Sequence, residues 1–163
     1  MDAFEQIYRQ YAAPVRRYLL TLGADEDLAD DLTADVFLKA LRYIDGYDGR
    51  VQMLTWLCMI AKQLYWNHCK KKSNRTLPLP EDETLVSTSP TPQESAETKE
   101  TATALYRALL RLQSPMKDVV YLRSFAGLSF REIALIHSKT ESWARVTYHR
   151  AKEKLKEMLQ NER

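Results

Sequence analysis

Between residues 74 and 97 the chain reads NRTLPLPEDETLVSTSPTPQESAE, with Pro78, Pro80, Pro90 and Pro92 and no helical apolar period. A stretch this polar cannot bury enough surface to offset its ordering entropy, and each proline removes a backbone donor. It divides the chain, so whatever folds must do so on either side. Both sides carry apolar residues at helical spacing. With four glycines in 163 residues and abundant helix formers, the expected fold class is all-α. The division predicts two small helical domains, 1–73 and 98–163, joined by a flexible, acidic and proline-rich linker at 74–97.

In the first segment Phe4, Ile7, Tyr8, Tyr11, Val15, Tyr18, Leu19 and Leu22 form one apolar stripe, with Pro14 predicting a kink or a break within it. Gly23 ends the stripe, and Asp25-Glu26-Asp27 suits the N-terminus of a second helix that buries Leu28, Leu32, Val36, Phe37, Ala40, Leu41 and Ile44. A turn-rich loop, Asp45 to Arg50, leads into a long helix from about Met53 to Lys72. That helix is aromatic and basic at once. Trp56, Tyr65 and Trp66 fit a core, but Lys62, Lys70, Lys71 and Lys72 do not, because buried lysine is rare. Cations beside rings and the amides Gln63 and Asn67 suit contact with single-stranded or melted nucleic acid.

The second segment predicts one helix through Ala104 to Leu112, ending near Ser114-Pro115, and another from Met116 to Phe125, stopped by Gly127. Ser129 and Glu132 then make a capping box for a short helix, FREIALIH. After a turn comes SKTESWARVTYHRAK, in which Ala144, Tyr148, Ala151 and Leu155 line up as a buried seam. Ser142, Arg145, Val146 and His149 fall on the opposite side, flanked by Arg150 and Lys152. Two helices across a tight turn are the helix-turn-helix layout, whose second helix reads bases with residues such as Arg145. A solvated face explains the same cations, and the pattern alone leaves the two readings even.

Charge is uneven along the chain. Residues 1–73 carry ten Lys/Arg against ten Asp/Glu; 74–100 carry two against six; 101–163 carry twelve against six. A basic last third behind an acidic connector suggests a polyanionic partner. Cys58 and Cys69, eleven residues apart on one helix, would lie roughly 16 Å from each other, too far for a disulfide. No zinc-ligand spacing occurs, and His68, His137 and His149 are dispersed without a nucleophile–base pair or a phosphate loop. A helical enzyme is therefore disfavoured, and no metal or cofactor is expected. No run of ~18 apolar residues is present and the N-terminus is not a signal peptide, so a cytoplasmic protein without membrane insertion is expected.

Three motifs in order resemble the extracytoplasmic-function (ECF) sigma factors of the sigma-70 family. The acidic family helix DLVQEVFLKAL is similar to Asp31 through Leu41; the family's FRTWLYRIARN helix is similar to Met53 through Gln63. The C-terminal GLSYEEIA and its reading helix are similar to Gly127 through Ala134 and Thr140 through Lys152. Gln63, Trp143 and Thr147 depart from the common residues. The resemblance implies a non-catalytic protein with a σ2 helical bundle and a σ4 helix-turn-helix. It implies binding to core RNA polymerase at the β′ clamp and β flap, recognition of promoter DNA, and an anti-sigma factor as a further partner. By the same resemblance Asp31, Leu32, Asp35, Phe37 and Leu38 would bind core polymerase. Tyr47, Asp48, Arg50, Lys62, Gln63, Asn67, Lys70, Lys71 and Lys72 would meet the −10 element, and Ser142, Arg145, Val146, His149 and Arg150 the −35 element. The rival reading is a helix-turn-helix transcriptional regulator that acts without core polymerase.

Overall fold

A computed structural model of the chain describes residues 3–74 and 96–161, with side chains at 3–72 and 103–161. Most of the connector expected at 74–97 thus lies outside the described residues. All regular structure among the described residues is helical. The first bundle holds α1 (Ala3–Leu22), α2 (Glu26–Tyr43) and α3 (Met53–Asn74), with a 3-10 turn at Ile44–Gly46. The second holds α4 (Ala96–Arg111), α5 (Met116–Val120), α6 (Phe130–His137) and α7 (Glu141–Asn161).

The ends of the helices follow from single residues. Gly23, at φ 124°, closes α1 as its amide donates to Leu20 O and that of Ala24 to Leu19 O, both at 3.1 Å. A side chain here would meet the Tyr65 hydroxyl of α3 at 2.6 Å, so glycine also lets α1 and α3 approach closely. The Asp25 carboxylate caps α2 by accepting from the Leu28 amide at 2.8 Å. Pro14 does not break α1, which runs through it as one helix.

The second bundle departs further from the sequence reading. The helix expected over 116–125 is α-helical only to Val120; Tyr121–Phe125 forms a wider π-turn, with the Ala126 amide donating to Tyr121 O at 3.0 Å. Gly127, at φ 74°, then ends it as expected. Ser129 accepts from the Glu132 amide at 3.1 Å and starts α6. Ser138 ends α6 in the left-handed region, φ 57°, at the turn position where glycine is usual. Thr140 accepts from the Trp143 amide at 3.1 Å and caps α7.

Each bundle buries its own seam. Val15, Tyr18, Leu19, Val36, Phe37, Leu57 and Cys58 fill the first; Leu109, Leu122, Leu128, Ile133, Ala144 and Ala151 fill the second. The two are also in contact. α3 packs on α6 and α1 on α5, so a single apolar cluster runs from one bundle into the other. No helix among the described residues is long and apolar enough to cross a membrane.

Candidate nucleic-acid and protein interfaces

Three helix faces collect the residues that the sequence singles out. On α2, Asp31, Asp35 and Leu38 are exposed, Leu38 at 65%, and Leu41 and Tyr43 extend the apolar part of the face. Leu32 and Phe37 are a correction. They are 6% and 3% exposed, and Phe37 meets the rings of Phe4 and Tyr8 edge-on at 6.3 and 5.0 Å. Their side chains hold α2 to α1 and leave a docking partner only the outer row. The apolar period of α2 places both inside; only the motif resemblance places them on the docking strip.

The loop before α3 is held by local bonds. The Tyr47 hydroxyl donates to the Val51 carbonyl, and its ring packs on Trp56 at 5.1 Å. Arg50 pairs with Asp48 at 3.1 Å, both well exposed. Along α3 the exposed side chains are Met59, Gln63, Trp66, Asn67, Lys70, Lys71 and Lys72. Gln63 Nε2 donates to Asn67 Oδ1 at 3.1 Å, and the Lys70 ammonium lies 6.0 Å from the centre of the Trp66 ring. An exposed indole with cations and amides beside it offers a stacking surface and charge for a nucleic-acid strand. Lys62 alone among the α3 lysines is half-buried. Its ammonium donates to the Ile136 carbonyl and meets His137 Nδ1, each at 3.4 Å, and burial lowers its pKa from the ordinary lysine value.

The face of α7 is open. Ser142, Arg145, Val146, His149 and Arg150 are all exposed, whereas Ala144, Thr147, Ala151 and Leu155 are buried. Tyr148, assigned to the seam, is only half-buried, and Thr147 takes a place in the interior instead. Arg145 pairs with Glu141 one turn earlier and lies 5.7 Å from the centre of the Phe130 ring of α6. The guanidinium is therefore held near the N-terminal end of the helix, the end that enters a groove in helix-turn-helix proteins. Trp143, a departure from the family motif, turns inward and packs on His137 at 5.2 Å.

Sequence reasoning missed the groups between the bundles. Glu132, expected to complete a capping box, turns its carboxylate toward α3. Oε1 accepts from the Gln52 amide at 2.8 Å and Oε2 from Gln52 Nε2 at 2.9 Å. Asp118, 4% exposed, accepts from the Ser114 hydroxyl at 3.1 Å; burial pushes its pKa up to about 6 against the opposing pull of that hydroxyl, Lys117 and Lys62. His137 is pushed down to about 4 by burial, helped by Lys62 and Lys139. No local sequence signal announces these pairings, which join residues some 75 to 80 positions apart.

Known proteins fall into place on this geometry. The Sigma-70 region 2 family matches residues 7–75 and the Sigma-70, region 4 family matches residues 102–155. RNA polymerase sigma factor YlaC of Bacillus subtilis (strain 168) is 30% identical over 99% of this chain and 95% of its own length. ECF RNA polymerase sigma factor BldN of Streptomyces coelicolor is 33% identical over 97% of this chain and 61% of its own length. Among solved structures, the sigma factor RpoE of Bartonella quintana, crystallised with the anti-sigma factor NepR, superposes with a TM-score of 0.79 over all of both chains at 20% identity. That likeness extends the shared fold through both bundles. Two family regions in order, and full-length similarity to a sigma factor, establish that the chain belongs to the ECF sigma factors of the sigma-70 family, the polymerase subunits that direct transcription initiation.

Proposed function

We propose that the two bundles divide promoter recognition between them, residues 1–73 acting as σ2 and 98–163 as σ4. The exposed row Asp31, Asp35 and Leu38 docks on the β′ clamp of core polymerase, its carboxylates setting register and on-rate. The loop at Tyr47 to Arg50 and the α3 face of Gln63, Trp66, Asn67 and Lys70 to Lys72 take the −10 strand as the duplex opens. In the second bundle Ser142, Arg145, Val146, His149 and Arg150 read the −35 element in the major groove, Arg145 as the base reader and the flanking cations on phosphates. The role is one of binding, carried out in the cytoplasm with core polymerase, and chemistry stays with the polymerase. An anti-sigma factor belongs to the same reading, since the similar RpoE was crystallised with one.

The observation that carries this reading is the geometry of α7. A capped helix follows a tight turn, its apolar seam is buried, and four polar or basic positions together with Val146 stand exposed along the other side. Run-off transcription tests it, with purified bacterial core polymerase, this protein and genomic promoter fragments. Initiation that depends on the protein is expected, together with its loss in Asp35→Arg while the circular dichroism spectrum is kept. Absence of both initiation and core binding would sink the reading, and normal core binding by Asp35→Arg would remove α2 from it.

A further inference from the structure

Away from the junction between the bundles, the second bundle seats exposed cations on aromatic rings. The Phe130 ring, half-buried at the head of α6, has the Arg123 guanidinium 4.2 Å from its centre and that of Arg145 5.7 Å from it. Next to it stands Tyr148 of α7, the two ring centres 5.5 Å apart and their planes at 60°. Tyr148 in turn carries the Lys152 ammonium 5.5 Å from its own centre, and its hydroxyl shares a 3.0 Å hydrogen bond with the Ser124 hydroxyl. Arg123 and Ser124 both belong to the π-turn, and Arg123 also donates to the Leu128 carbonyl at 3.2 Å. Three elements thus converge on one ledge of two rings, and Arg123, Arg145 and Lys152 are all exposed on it.

The negative face of a π-system attracts a cation without accepting any of its strong hydrogen bonds. For Arg145 that distinction decides what stays in place on binding. Its guanidinium has two anchors, the Glu141 carboxylate one turn earlier and the Phe130 ring. The carboxylate takes up a donor at one end of the fork and brings a negative charge toward the phosphates. That bond is the one to be exchanged when the helix meets DNA. The ring takes no donor, so the guanidinium can stay on it and still present its planar fork to a base edge. An exposed arginine without such a seat has several freely rotating torsions, and ordering them on binding costs affinity.

We propose that Phe130 is a positioning residue for −35 recognition: its ring, propped by Tyr148, holds the Arg145 guanidinium ready to read a base. This role rests on the reading of Arg145 as the base reader, and brings into it a residue from the other helix of the helix-turn-helix.

The test uses the full chain as holoenzyme with core polymerase, on one responsive promoter randomised across its −35 element, and counts the sequences that initiate. Phe130→Leu and Phe130→Met keep an apolar side chain at the head of α6 and remove the π face; each is first matched to wild type by circular dichroism. Discrimination at the base pair that Arg145→Ala relaxes should fall about two- to fivefold, the share of one exposed cation–π contact, and hold at the other positions. Phe130→Tyr keeps the ring and should keep the discrimination. In an Arg145→Ala background, Phe130→Leu should cost no further discrimination at that pair. Selectivity like that of wild type in both ring-less variants, or an equal loss at every −35 position, would overturn the assignment. So would a Phe130→Tyr chain as relaxed as Phe130→Leu, or a full additional loss in the Arg145→Ala background. An unchanged profile for Arg145→Ala itself removes the base reader, and the positioning role with it. A relaxed Arg145→Ala profile beside unchanged ring-less variants sinks the positioning role alone and leaves the base reader standing.

Discussion

The two helices proposed to contact nucleic acid are alike in length, 22 and 21 residues, and both net basic, yet opposite in availability. On α7 every residue singled out for base or phosphate contact stands in solvent. On α3 the C-terminal half is open, but Lys62 lies under α6 and gives its donors to another part of the same chain. The contrast shows that a reading surface is set by what packs on a helix as much as by its own sequence. Helix α7 is supported from behind by α4, α5 and α6, with its other face exposed, whereas α3 packs on α1 and α2 of its own bundle and on α6 of the other.

That contrast can be broken hardest at Tyr121. Tyr121→Ala removes a ring shared by both bundles and should cost about 3–5 kcal/mol, seen as a large fall in the midpoint of chemical unfolding. The corresponding truncation on the open helix, Val146→Ala, should stay within about 0.5 kcal/mol. Equal costs would show that the two bundles do not share a core.

A smaller effect, of a different kind, is expected from Arg145→Ala. Its ion pair with Glu141 is exposed, so stability should change by less than about 1 kcal/mol. Discrimination at one position of the −35 element should fall by about 1–3 kcal/mol, measured by competition between promoter variants. An unchanged promoter profile would take Arg145 out of base reading.

The smallest effect is a pair of opposed pH slopes at the junction. His137 titrates at about 4 in the folded chain against an ordinary 6.5, so its contribution is present above pH 6.5 and is lost as pH falls toward 4. Asp118 titrates at about 6 against an ordinary 3.8, so its contribution is present below pH 3.8 and is lost as pH rises through 6. Lys62 faces both groups from α3, with Lys139 beside His137 and Lys117 beside Asp118. Between about pH 4 and 6 the two slopes offset each other. Relative to wild type, Asp118→Asn should lose stability on acidification across that window and His137→Gln should gain it. Denaturant titrations at pH 4.5 and 6 measure both, and parallel curves for the three proteins would refute the assignment.

Much of the fold was legible because its signals are local. Gly23, Asp25, Ser129 and Thr140 mark helix ends through backbone geometry or a side-chain oxygen three residues from its donor, and the α7 seam follows from 100° per residue. The π-turn was not legible, since Tyr121 to Phe125 carries ordinary helix-compatible residues and Tyr121 packs on Tyr18 and Pro14 more than a hundred positions away. At the candidate site, periodicity and motif disagreed over Leu32 and Phe37, and burial sides with periodicity. The junction was the least legible part. Glu132, Gln52 and Lys62 are residue types that read as surface, and a pairing across some eighty positions leaves no period in the sequence.

Cys58 acquires a use from its position. It is fully buried in α3, burial holds its thiol well above the ordinary range, and it lies near enough to Tyr18 and Tyr121 to act on their ionisation. Cys69, on the same helix, is partly exposed. The chain therefore carries its own pair of kinetic clocks: an alkylating reagent reaches the partly exposed Cys69 first, while Cys58 waits for the wall beside it to move. The ratio of the two rates counts how often that wall opens, without a label, a mutation or a partner.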